Sequence, residues 1–477
     1  MQILQLPVNK IQRKEARNML KITVREVACA TGGRILCGNK DTEINSVMTD
    51  SRKEAKNALF IPFKGEKSDG HNFIANAFEN GAVATLTENE IKCPENGCAI
   101  LVENTQKALG MMAKYYKKKF KIKTIAVTGS VGKTTTKDML YAVMNMQYCT
   151  LKTEGNYNNE IGLPLTVMRL NQAHEAAVFE MGMSAFGEIR YLADIVRPDV
   201  GIITNIGMSH IENLGSQEGI FKAKTEMCEF FDKDSLLIVN SDDKFLQKAR
   251  SFEGFSVVTY GIENECDYRA RNIENLGLDG TKFTVNIYGR DYDIHVKVPG
   301  VHNVYNALAA IACGVHYNIG PNQIIGGIEN FALTKMRMSI EKAGTLTLIN
   351  DCYNSSPDSV KAALKVLATQ KTRRVAILGD ILEMGDYSEK AHYELGKEVT
   401  ENGIDLLITA GRNALYMARG AEETGLLAIK SFTTTDELCE HIGEYLNEND
   451  CVLIKASRGM HFEKITEKIL NNIEKIN

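Results

Sequence analysis

No stretch of the sequence is long and apolar enough to cross a membrane as a helix. The 477 residues contain no apolar run of the about 18 residues that such a helix requires. Residues 1–20 mix Lys, Arg and Gln with short apolar stretches and lack the continuous apolar segment of a signal peptide. We therefore expect a cytoplasmic protein without stable membrane insertion, with a tail over residues 1–20.

The sequence also lacks a strong charge of either sign. Its 56 Lys and Arg residues nearly balance its 60 Asp and Glu residues, which gives a formal net charge of −4. This balance provides no general attraction to nucleic acid or to an anionic membrane. Any phosphate binding must come from a local site, and no nucleic-acid partner is expected.

The cysteines are not arranged in pairs of the kind that bind zinc. There are 11 of them, scattered along the chain, and the closest two, Cys93 and Cys98, have no second pair at metal-ligand spacing. Scattered cysteines in odd number favour free thiols in a reducing compartment over a disulfide framework. We therefore predict free thiols.

The length of the chain requires more than one domain, because a single hydrophobic core stops growing at about 250–300 residues. Hydrophobic residues make up 44% and charged residues 24%, which is typical of globular proteins. We predict an α/β protein with three domains. These are a small mixed α/β domain at 21–121, a central ATPase-like domain with a mostly parallel sheet at 122–334, and a Rossmann-like doubly wound domain at 335–477.

Apolar runs separated by helical stretches carry this prediction. Runs such as "AAVFEMG" and "DVGIITNIG" in the central region, and "RVAILGD" and "DLLITAG" in the last, indicate strands that are buried on both faces. Residues 282–300 instead alternate across a turn, which predicts an antiparallel hairpin at the edge of the central sheet.

A phosphate-binding loop is the strongest local signal. The segment "TIAVTGSVGKTTTKDML" runs from a strand through two glycines into a helix. Glycines let backbone N–H groups close around phosphate oxygens, and the helix N-terminus favours negative charge. Lys133 is expected to reach the β- and γ-phosphates, and the Thr134 hydroxyl to bind Mg²⁺. The predicted ATP contacts of the loop are Gly129, Ser130, Val131, Gly132, Lys133, Thr134 and Thr135.

The loop is shorter than the common pattern, since Val127 stands where the first glycine is expected. A chance glycine-rich turn is the alternative, and the register of strand, loop and helix argues against it. A phosphate loop by itself indicates a nucleoside triphosphate. It does not distinguish a kinase, a GTPase, a motor and a ligase.

Further segments, in a fixed order, together resemble the Mur ligases over nearly all of the chain beyond residue 20. The similarity is greatest to those members that add D-alanyl-D-alanine to a UDP-N-acetylmuramoyl-tripeptide. The segments are "EGNYNNEIGLPLTVM" (154–168), "FEMGMSAFGEI" (179–189), "NIGMSHIENLGSQEGIFKAKTE" (205–226), "GVHNVYNALAA" (300–310), "MRM" (336–338), "NDCYNSSPDS" (350–359), "LGDILEMGDYSEKAH" (378–392) and "KASRGMHFE" (455–463).

Rival members of the family fit less well. Folylpolyglutamate synthases place the phosphate loop near the N-terminus, whereas about 120 residues precede it here. The ligase that adds a diamino acid carries an Asp-Asn-Pro-Arg motif, which this sequence lacks. The segment "TDSRKEAKNALFIPFKGEKSDGHNFI" resembles the uridine-nucleotide domain shared by the tripeptide-forming and pentapeptide-forming ligases.

The resemblance implies an ATP-dependent peptide ligase of peptidoglycan synthesis. It implies an acyl-phosphate intermediate, two Mg²⁺ ions, a UDP-muramoyl-tripeptide and D-alanyl-D-alanine as substrates, and a monomer. A Mur-type ligase that adds a single amino acid is one alternative, and a non-catalytic nucleotide-binding module is another. The third residue of the tripeptide, diaminopimelate or lysine, stays open.

The resemblance also implies the cation ligands. Thr134 and Glu180 are expected at the first Mg²⁺, and His210 at the second; Glu180 and His210 each follow a predicted strand. Lys224 matches the family's carbamylated lysine, which would contribute an anion to the second ion. Lys222 is its competitor, and helical spacing lets only one of the two face the site. The alternatives are a surface acid, a structural histidine and a solvated lysine. Lys133, Glu180, His210 and Lys224 form the predicted catalytic set.

The remaining matches concern nucleotide and substrates. Asn303 and Asn306 share a helix face and are assigned to ATP, although Asn303 could instead cap the helix. Arg337 and Asp351 are expected to contact the γ-phosphate and the ribose. The predicted substrate contacts, some of which also suit turns, are Ser51, Arg52, Asp69, Gly70 and His71 for the uridine diphosphate, Asn156, Asn158, Asn159 and Glu160 for the muramoyl-peptide, and Tyr353, Asn354, Lys455, Ser457 and Arg458 for the dipeptide. The family often has Lys-Gly-Ser-Arg over the four positions 455–458, and Ala456 replaces that glycine here.

Overall fold

A computed structural model describes residues 21–66, 68–93 and 95–474. The tail predicted for residues 1–20 lies outside these ranges. The predicted α/β class is confirmed by two large, mostly parallel sheets with helices on both faces. Within the described ranges, no helix meets the length and apolarity that crossing a bilayer demands.

The first region carries a five-stranded sheet in the order β2-β7-β6-β5-β4, with only β2 antiparallel. The first helix starts at a capping box formed by Thr23 and Glu26 and ends at Gly32, whose φ of 64° suits a residue without a side chain. The elements are β1 (Ile22–Thr23), α1 (Val24–Thr31), β2 (Arg34–Cys37), β3 (Glu43–Ile44), β4 (Ser46–Met48), β5 (Ala58–Phe60), α2 (Ile74–Glu79), β6 (Ala82–Thr87), β7 (Cys98–Leu101) and α3 (Thr105–Lys117).

One disulfide bond, between Cys37 and Cys93, contradicts the prediction that all thiols are free. Cys37 ends β2, and the pairing of β2 with β7 brings the loop before β7 alongside it. The two Cα atoms are 6.2 Å apart, within the range that a disulfide spans. The partners lie 56 residues apart in sequence, so their spacing gave no sign of the pairing.

The central region carries a seven-stranded parallel sheet in the order β14-β13-β12-β11-β8-β10-β9. The phosphate loop follows the inner strand β8, and the carboxyl ends of β10 and β11 lie on either side of it. The elements are β8 (Lys123–Thr128), α4 (Lys133–Met144), β9 (Thr150–Lys152), α5 (Gly162–Val167), β10 (Ala176–Glu180), α6 (Glu188–Val196), β11 (Val200–Ile203), α7 (Ile211–Leu214), α8 (Gln217–Thr225), β12 (Leu236–Asn240), β13 (Ser256–Gly261) and β14 (Tyr268–Arg269).

The predicted hairpin forms, but not at the edge of the parallel sheet. It is antiparallel and pairs with a further strand into a separate three-stranded sheet. The buried face of that sheet, including Phe283 and Ile294, packs with the apolar helix that follows it. These elements are β15 (Arg271–Asn275), β16 (Thr281–Ile287), β17 (Arg290–Val296), α9 (His302–His316) and α10 (Pro321–Glu329).

The last region carries a six-stranded sheet in the order β18-β19-β23-β20-β21-β22, parallel except for β18. The carboxyl ends of β19 and β23 point toward the central sheet. The elements are β18 (Ser339–Ala343), β19 (Leu346–Asn350), α11 (Pro357–Leu367), β20 (Arg374–Gly379), α12 (Ser388–Glu401), β21 (Leu406–Ala410), α13 (Ala414–Glu423), β22 (Ile429–Phe432), α14 (Thr435–His441), β23 (Cys451–Lys455) and α15 (Glu463–Glu474).

Helix α3 ties the first sheet to the central one. The fully buried Tyr116 donates its hydroxyl to the Leu170 carbonyl at 2.6 Å, and Lys114 pairs with Asp194 of α6 at 2.6 Å. Because a buried carbonyl must find its partner inside the protein, the hydroxyl holds two regions together.

We predict that Tyr116→Phe lowers the free energy of unfolding by about 1–3 kcal/mol, the usual cost of removing one partner of a buried hydrogen bond. Chemical denaturation measures this change. Tyr115→Phe on the same helix is the matched control. The half-buried Tyr115 hydroxyl donates to Glu26, and Glu26 still accepts a hydrogen bond from Lys119 when that hydroxyl is removed. An equal loss in both variants would contradict the prediction.

Candidate functional site

A cavity of about 520 Å³ lies where the carboxyl ends of the central strands face the last region. The structure brings most of the predicted ATP, cation and dipeptide residues to its walls. Those that line it are Ser130, Val131, Gly132, Lys133, Thr134, Thr135, Asn156, Asn158, Asn159, Glu180, His210, Asn303, Asn306, Arg337, Asp351, Tyr353, Asn354, Lys455 and Arg458. Gly129, Glu160, Lys224 and Ser457 do not line it, nor do the five predicted uridine-diphosphate residues.

The phosphate loop is a tight turn between β8 and α4. Gly129 and Gly132 have φ values of 149° and 88°, in the half of the map that glycine tolerates. A side chain at Gly132 would lie 2.7 Å from the Asn306 amide oxygen, which also accepts the Thr136 hydroxyl at 3.0 Å. The loop therefore needs glycine at this position, and α9 packs directly against it.

The Lys133 side chain folds back over the loop. Its ammonium donates to the carbonyls of Gly129 at 2.7 Å and Ser130 at 3.3 Å. Desolvation by the walls of the cavity is the main cause that lowers the pKa of Lys133 to about 8; Glu180 opposes this shift and Arg337 adds to it. A cation held only by two carbonyls can turn toward a phosphate group that enters the cavity.

Glu180 ends β10 beside the loop, as the sequence predicts, and is 2% exposed. Its Oε1 accepts the Asn158 amide at 2.8 Å, whereas Oε2 has no hydrogen-bond partner within the described ranges. The ammonium of Lys137 is 3.9 Å from Oε2. Asn158, predicted as a substrate contact, thus orients a candidate cation ligand.

His210 follows β11 with a φ of 62° and faces the last region. Its Nδ1 lies 2.5 Å from Oε2 of Glu383, a residue whose φ is also positive, at 61°. The contact with His210 holds the pKa of the Glu383 carboxyl below its usual value, while burial opposes this shift. Two residues with positive φ thus meet where the central and last regions touch.

Of the two competing lysines on α8, Lys224 is 1% exposed and Lys222 is exposed. Desolvation is the main cause that lowers the pKa of Lys224 well below its ordinary value, and the Lys133 ammonium lowers it further. A neutral amine is what carbon dioxide requires for carbamate formation. The burial is compatible with the predicted choice of Lys224.

The two asparagines of α9 bond to each other and to the backbone. Asn306 donates to Asn303 at 2.9 Å, and Asn303 donates to the Pro299 carbonyl at 2.8 Å. Asn303 is the second residue of α9, and its amide donates a hydrogen bond to the turn that precedes the helix. Both line the cavity.

The last region contributes cations. The Arg337 guanidinium stacks on the Tyr353 ring at 4.3 Å, and its buried Nε has no hydrogen-bond partner in the described part of the chain. Lys455, 2% exposed, pairs with Asp351 at 2.6 Å. Asp351 also accepts the Met338 N–H at 3.1 Å, so both of its oxygens are engaged.

The residues predicted for uridine diphosphate lie in the first region. Asp69 accepts from the Nδ1 of His71 at 2.6 Å, and His71 Nε2 accepts the Glu88 N–H at 3.1 Å. Both ring nitrogens are thereby engaged. The Ser51 carbonyl accepts the Asn80 amide at 2.7 Å, while Arg52 is exposed and pairs with Asp50. The structure groups these residues around two loops of the first sheet.

Sequence reasoning missed three residues that contact the predicted ones. Asn205 bonds to the phosphate loop, Lys137 lies buried near Glu180, and Glu383 faces His210. Asn205 follows the end of β11 at the same edge of the sheet as Glu180, and that position was the available signal. The other two depend on packing between elements.

The chain's own residues do not form a complete metal cage. Across the described ranges, no three His, Cys, Asp or Glu side chains converge as a metal site. Among the described residues the buried Glu180 Oε2 nevertheless lacks a hydrogen-bond partner, the buried Thr134 hydroxyl lies beside the loop, and His210 Nδ1 faces the Glu383 carboxylate. Mg²⁺ usually binds one or two carboxylates and completes its shell with water and phosphate. The donors present fit an ion that binds together with a nucleotide.

Comparison with known families matches three consecutive stretches of the chain. Residues 43–117 match the Mur ligase family catalytic domain, 127–314 the Mur ligase middle domain, and 336–458 the Mur ligase glutamate ligase domain. Together these matches cover most of the sequence.

Two similar proteins, each matched over nearly its whole length, have the same name. The UDP-N-acetylmuramoyl-tripeptide--D-alanyl-D-alanine ligase of Bacillus subtilis strain 168 is 40% identical over 460 residues, which covers 95% of this chain and 99% of that protein. The enzyme of the same name from Escherichia coli K12 is 30% identical over 95% of this chain and 99% of its own.

Two solved structures superpose with this chain over most of its length. A crystal structure of MurF from Acinetobacter baumannii superposes with a TM-score of 0.87 at 31% identity, covering 95% of this chain and 99% of that one. MurF from Thermotoga maritima in complex with ADP superposes with a TM-score of 0.80 at 25% identity, covering 91% and 98%. The resemblance predicted from the motifs is confirmed, and the chain belongs to the Mur ligase family.

Proposed function

We propose that the chain joins D-alanyl-D-alanine to the terminal carboxylate of a UDP-N-acetylmuramoyl-tripeptide, with ATP converted to ADP and phosphate. The product is the UDP-muramoyl-pentapeptide used in peptidoglycan synthesis. One observation carries the proposal: a single cavity combines the phosphate loop, the buried carboxylate of Glu180, whose Oε2 lacks a hydrogen-bond partner in the described part of the chain, and Arg337 from the last region. The names of the relatives supply the substrates.

The first step brings two anions together. A carboxylate oxygen attacks the γ-phosphorus, the bond to the β-phosphate oxygen breaks, and an acyl phosphate and ADP result. The N–H groups at the start of α4 and the Lys133 ammonium bind the phosphates. Arg337, with its free Nε, binds charge on the transferred group from the opposite wall. These residues position the reactants and stabilise developing charge.

Two Mg²⁺ ions, when bound, would neutralise phosphate and carboxylate charge. Thr134 and Glu180 would hold the first, and His210 the second. Asn158 keeps Glu180 Oε1 engaged, which leaves Oε2 for the ion. Lys224 as an ammonium would repel a cation, so it fits this site only as a carbamate, whose formation turns the side chain into an anion.

The second step joins the amine. The dipeptide amine loses its proton and attacks the acyl carbon, a tetrahedral intermediate forms, and phosphate leaves.

We assign Tyr353, Asn354, Lys455, Ser457 and Arg458 to the dipeptide, and Asn156, Asn159 and Glu160 to the muramoyl-peptide. Ser51, Arg52, Asp69, Gly70 and His71 are assigned to the uridine diphosphate. Asn303, Asn306 and Asp351 remain the proposed adenosine contacts. Closure of the last region against His210 excludes water, which would otherwise hydrolyse the acyl phosphate.

The proposal includes domain limits at 21–121, 122–334 and 335–477. It also includes action as a monomer in the cytoplasm.

A coupled phosphate-release assay with UDP-muramoyl-tripeptide, ATP, Mg²⁺ and candidate amines tests this function. Release should depend on D-alanyl-D-alanine, and Lys133→Met should lower kcat/KM by at least about 100-fold, the scale of losing one preorganised charge contact. The exposed Lys118→Met is the control. Release that depends on a free amino acid would reject the dipeptide, and an unaffected Lys133→Met would reject the site.

Glu180→Gln should raise the Mg²⁺ concentration for half-maximal rate by about tenfold, because one unit of carboxylate charge is lost beside the ion. A Mg²⁺ titration at saturating ATP measures this. Glu154→Gln, an exposed acid that pairs with Arg169, is the control. An unchanged Mg²⁺ requirement would remove Glu180 from the ligand set.

Carbamylation of Lys224 predicts a carbamate carbon signal in ¹³C NMR after equilibration with ¹³C-bicarbonate. The signal should vanish in Lys224→Met and persist in Lys222→Met, which alters the exposed neighbour. We expect Lys224→Met to lose at least about 100-fold in kcat. Full activity without the signal in the wild type would refute the carbamate.

A further inference from the structure

Asn205 forms a reciprocal pair of hydrogen bonds with one residue of the phosphate loop, Val131. Its side-chain Oδ1 accepts the Val131 N–H at 2.9 Å, and its Nδ2 donates to the Val131 carbonyl at 3.0 Å. The backbone joins in, since the Ser130 N–H donates to the Asn205 carbonyl at 3.1 Å. Asn205, two residues after the end of β11, thus holds two successive residues of a loop that follows β8.

Thr204 closes the same contact from the other side. Its hydroxyl donates to the Val131 carbonyl at 2.6 Å. A side chain on Gly129 would lie 1.8 Å from that hydroxyl. The short loop, which lacks the usual first glycine at Val127, is therefore held by its neighbouring strand.

These bonds decide which N–H groups remain for a ligand. The N–H groups of Ser130 and Val131 are consumed inside the protein. Within the described ranges, those of Lys133, Thr134 and Thr135 have no intramolecular acceptor, as expected for the first turn of a helix. The Val131 carbonyl, which would repel phosphate oxygens, is tied down by two donors.

We propose that Asn205 is a positioning residue of the phosphate loop, which turns the Val131 carbonyl away from the nucleotide and leaves the N-terminus of α4 to bind its β-phosphate. The inference rests on the proposed nucleotide site. Both polar atoms of the Asn205 amide bond to Val131, so the proposed effect of Asn205 on the nucleotide runs through the loop.

The carboxamide is specific to this role because it donates and accepts at once. Aspartate keeps the acceptor for the Val131 N–H, but faces the Val131 carbonyl with a second oxygen and adds negative charge near the phosphates. Alanine removes both bonds. Asn205→Ala therefore measures the loss of both hydrogen bonds, and Asn205→Asp measures the repulsion of the Val131 carbonyl and the phosphates by the added carboxylate.

Calorimetric titration with ADP and AMP tests the proposal, because only ADP carries the β-phosphate. We expect Asn205→Ala to weaken ADP binding about tenfold and Asn205→Asp about 100-fold, given two hydrogen bonds and one added charge. AMP binding should stay within about twofold of the wild type. Thr204→Val should weaken ADP a few-fold.

Asn402→Ala is the matched control, because its amide donates to the Glu398 carbonyl at the end of α12, in the last region. Unchanged ADP binding in Asn205→Ala, or an equal loss of ADP and AMP, would overturn the role of Asn205. If Asn205→Ala does not fold, Asn205→Asp and Thr204→Val carry the same comparison. A wild type that binds AMP as tightly as ADP would instead overturn the nucleotide site.

Discussion

The concentration of buried charge at the carboxyl edge of the central sheet is the constraint on which the rest of the structure depends. Lys137, Lys224 and Glu180 are each at most 2% exposed there, and Lys133 loses much of its solvation. Buried ions without partners are costly. Among the described residues, Glu180 Oε2 lacks a hydrogen-bond partner and the Lys133 ammonium donates to backbone carbonyls, so a triphosphate with its cation supplies partners to both groups.

Supporting contacts keep this arrangement in place. The buried Asp138 carboxylate accepts from Lys152 at 2.6 Å and from the Thr334 hydroxyl at 2.8 Å, and lies 3.4 Å from the Lys137 ammonium. Thr334 belongs to the segment that leads into the last region. Asp138 thus links Lys137, which lies beside Glu180, to Thr334 in the segment that leads to the last region.

The sequence predicted those site residues whose position follows from a strand and its end. Glu180 and His210 both follow buried apolar runs, and parallel strands place such residues at one edge. The hydrogen bond from Asn158 to Glu180 joins two segments that no local pattern links, so the sequence alone did not predict this contact. The Cys37–Cys93 bond and the separate sheet around β16 were likewise set by tertiary pairing, which spacing along the chain does not encode.

The departure from the family pattern at Ala456 has a local explanation. The residue is fully buried beside Lys455, where an additional methyl group needs space. Gly379, at the end of the neighbouring strand β20, supplies it: a side chain there would lie 2.7 Å from the Ala456 Cβ and 2.5 Å from the Phe462 ring. In a closely packed interior even one methyl group needs space. Glycine at 379 leaves that space for the Ala456 methyl group, and the neighbouring Lys455 pairs with Asp351. The position of a cation in the cavity therefore depends on the absence of a side chain one strand away.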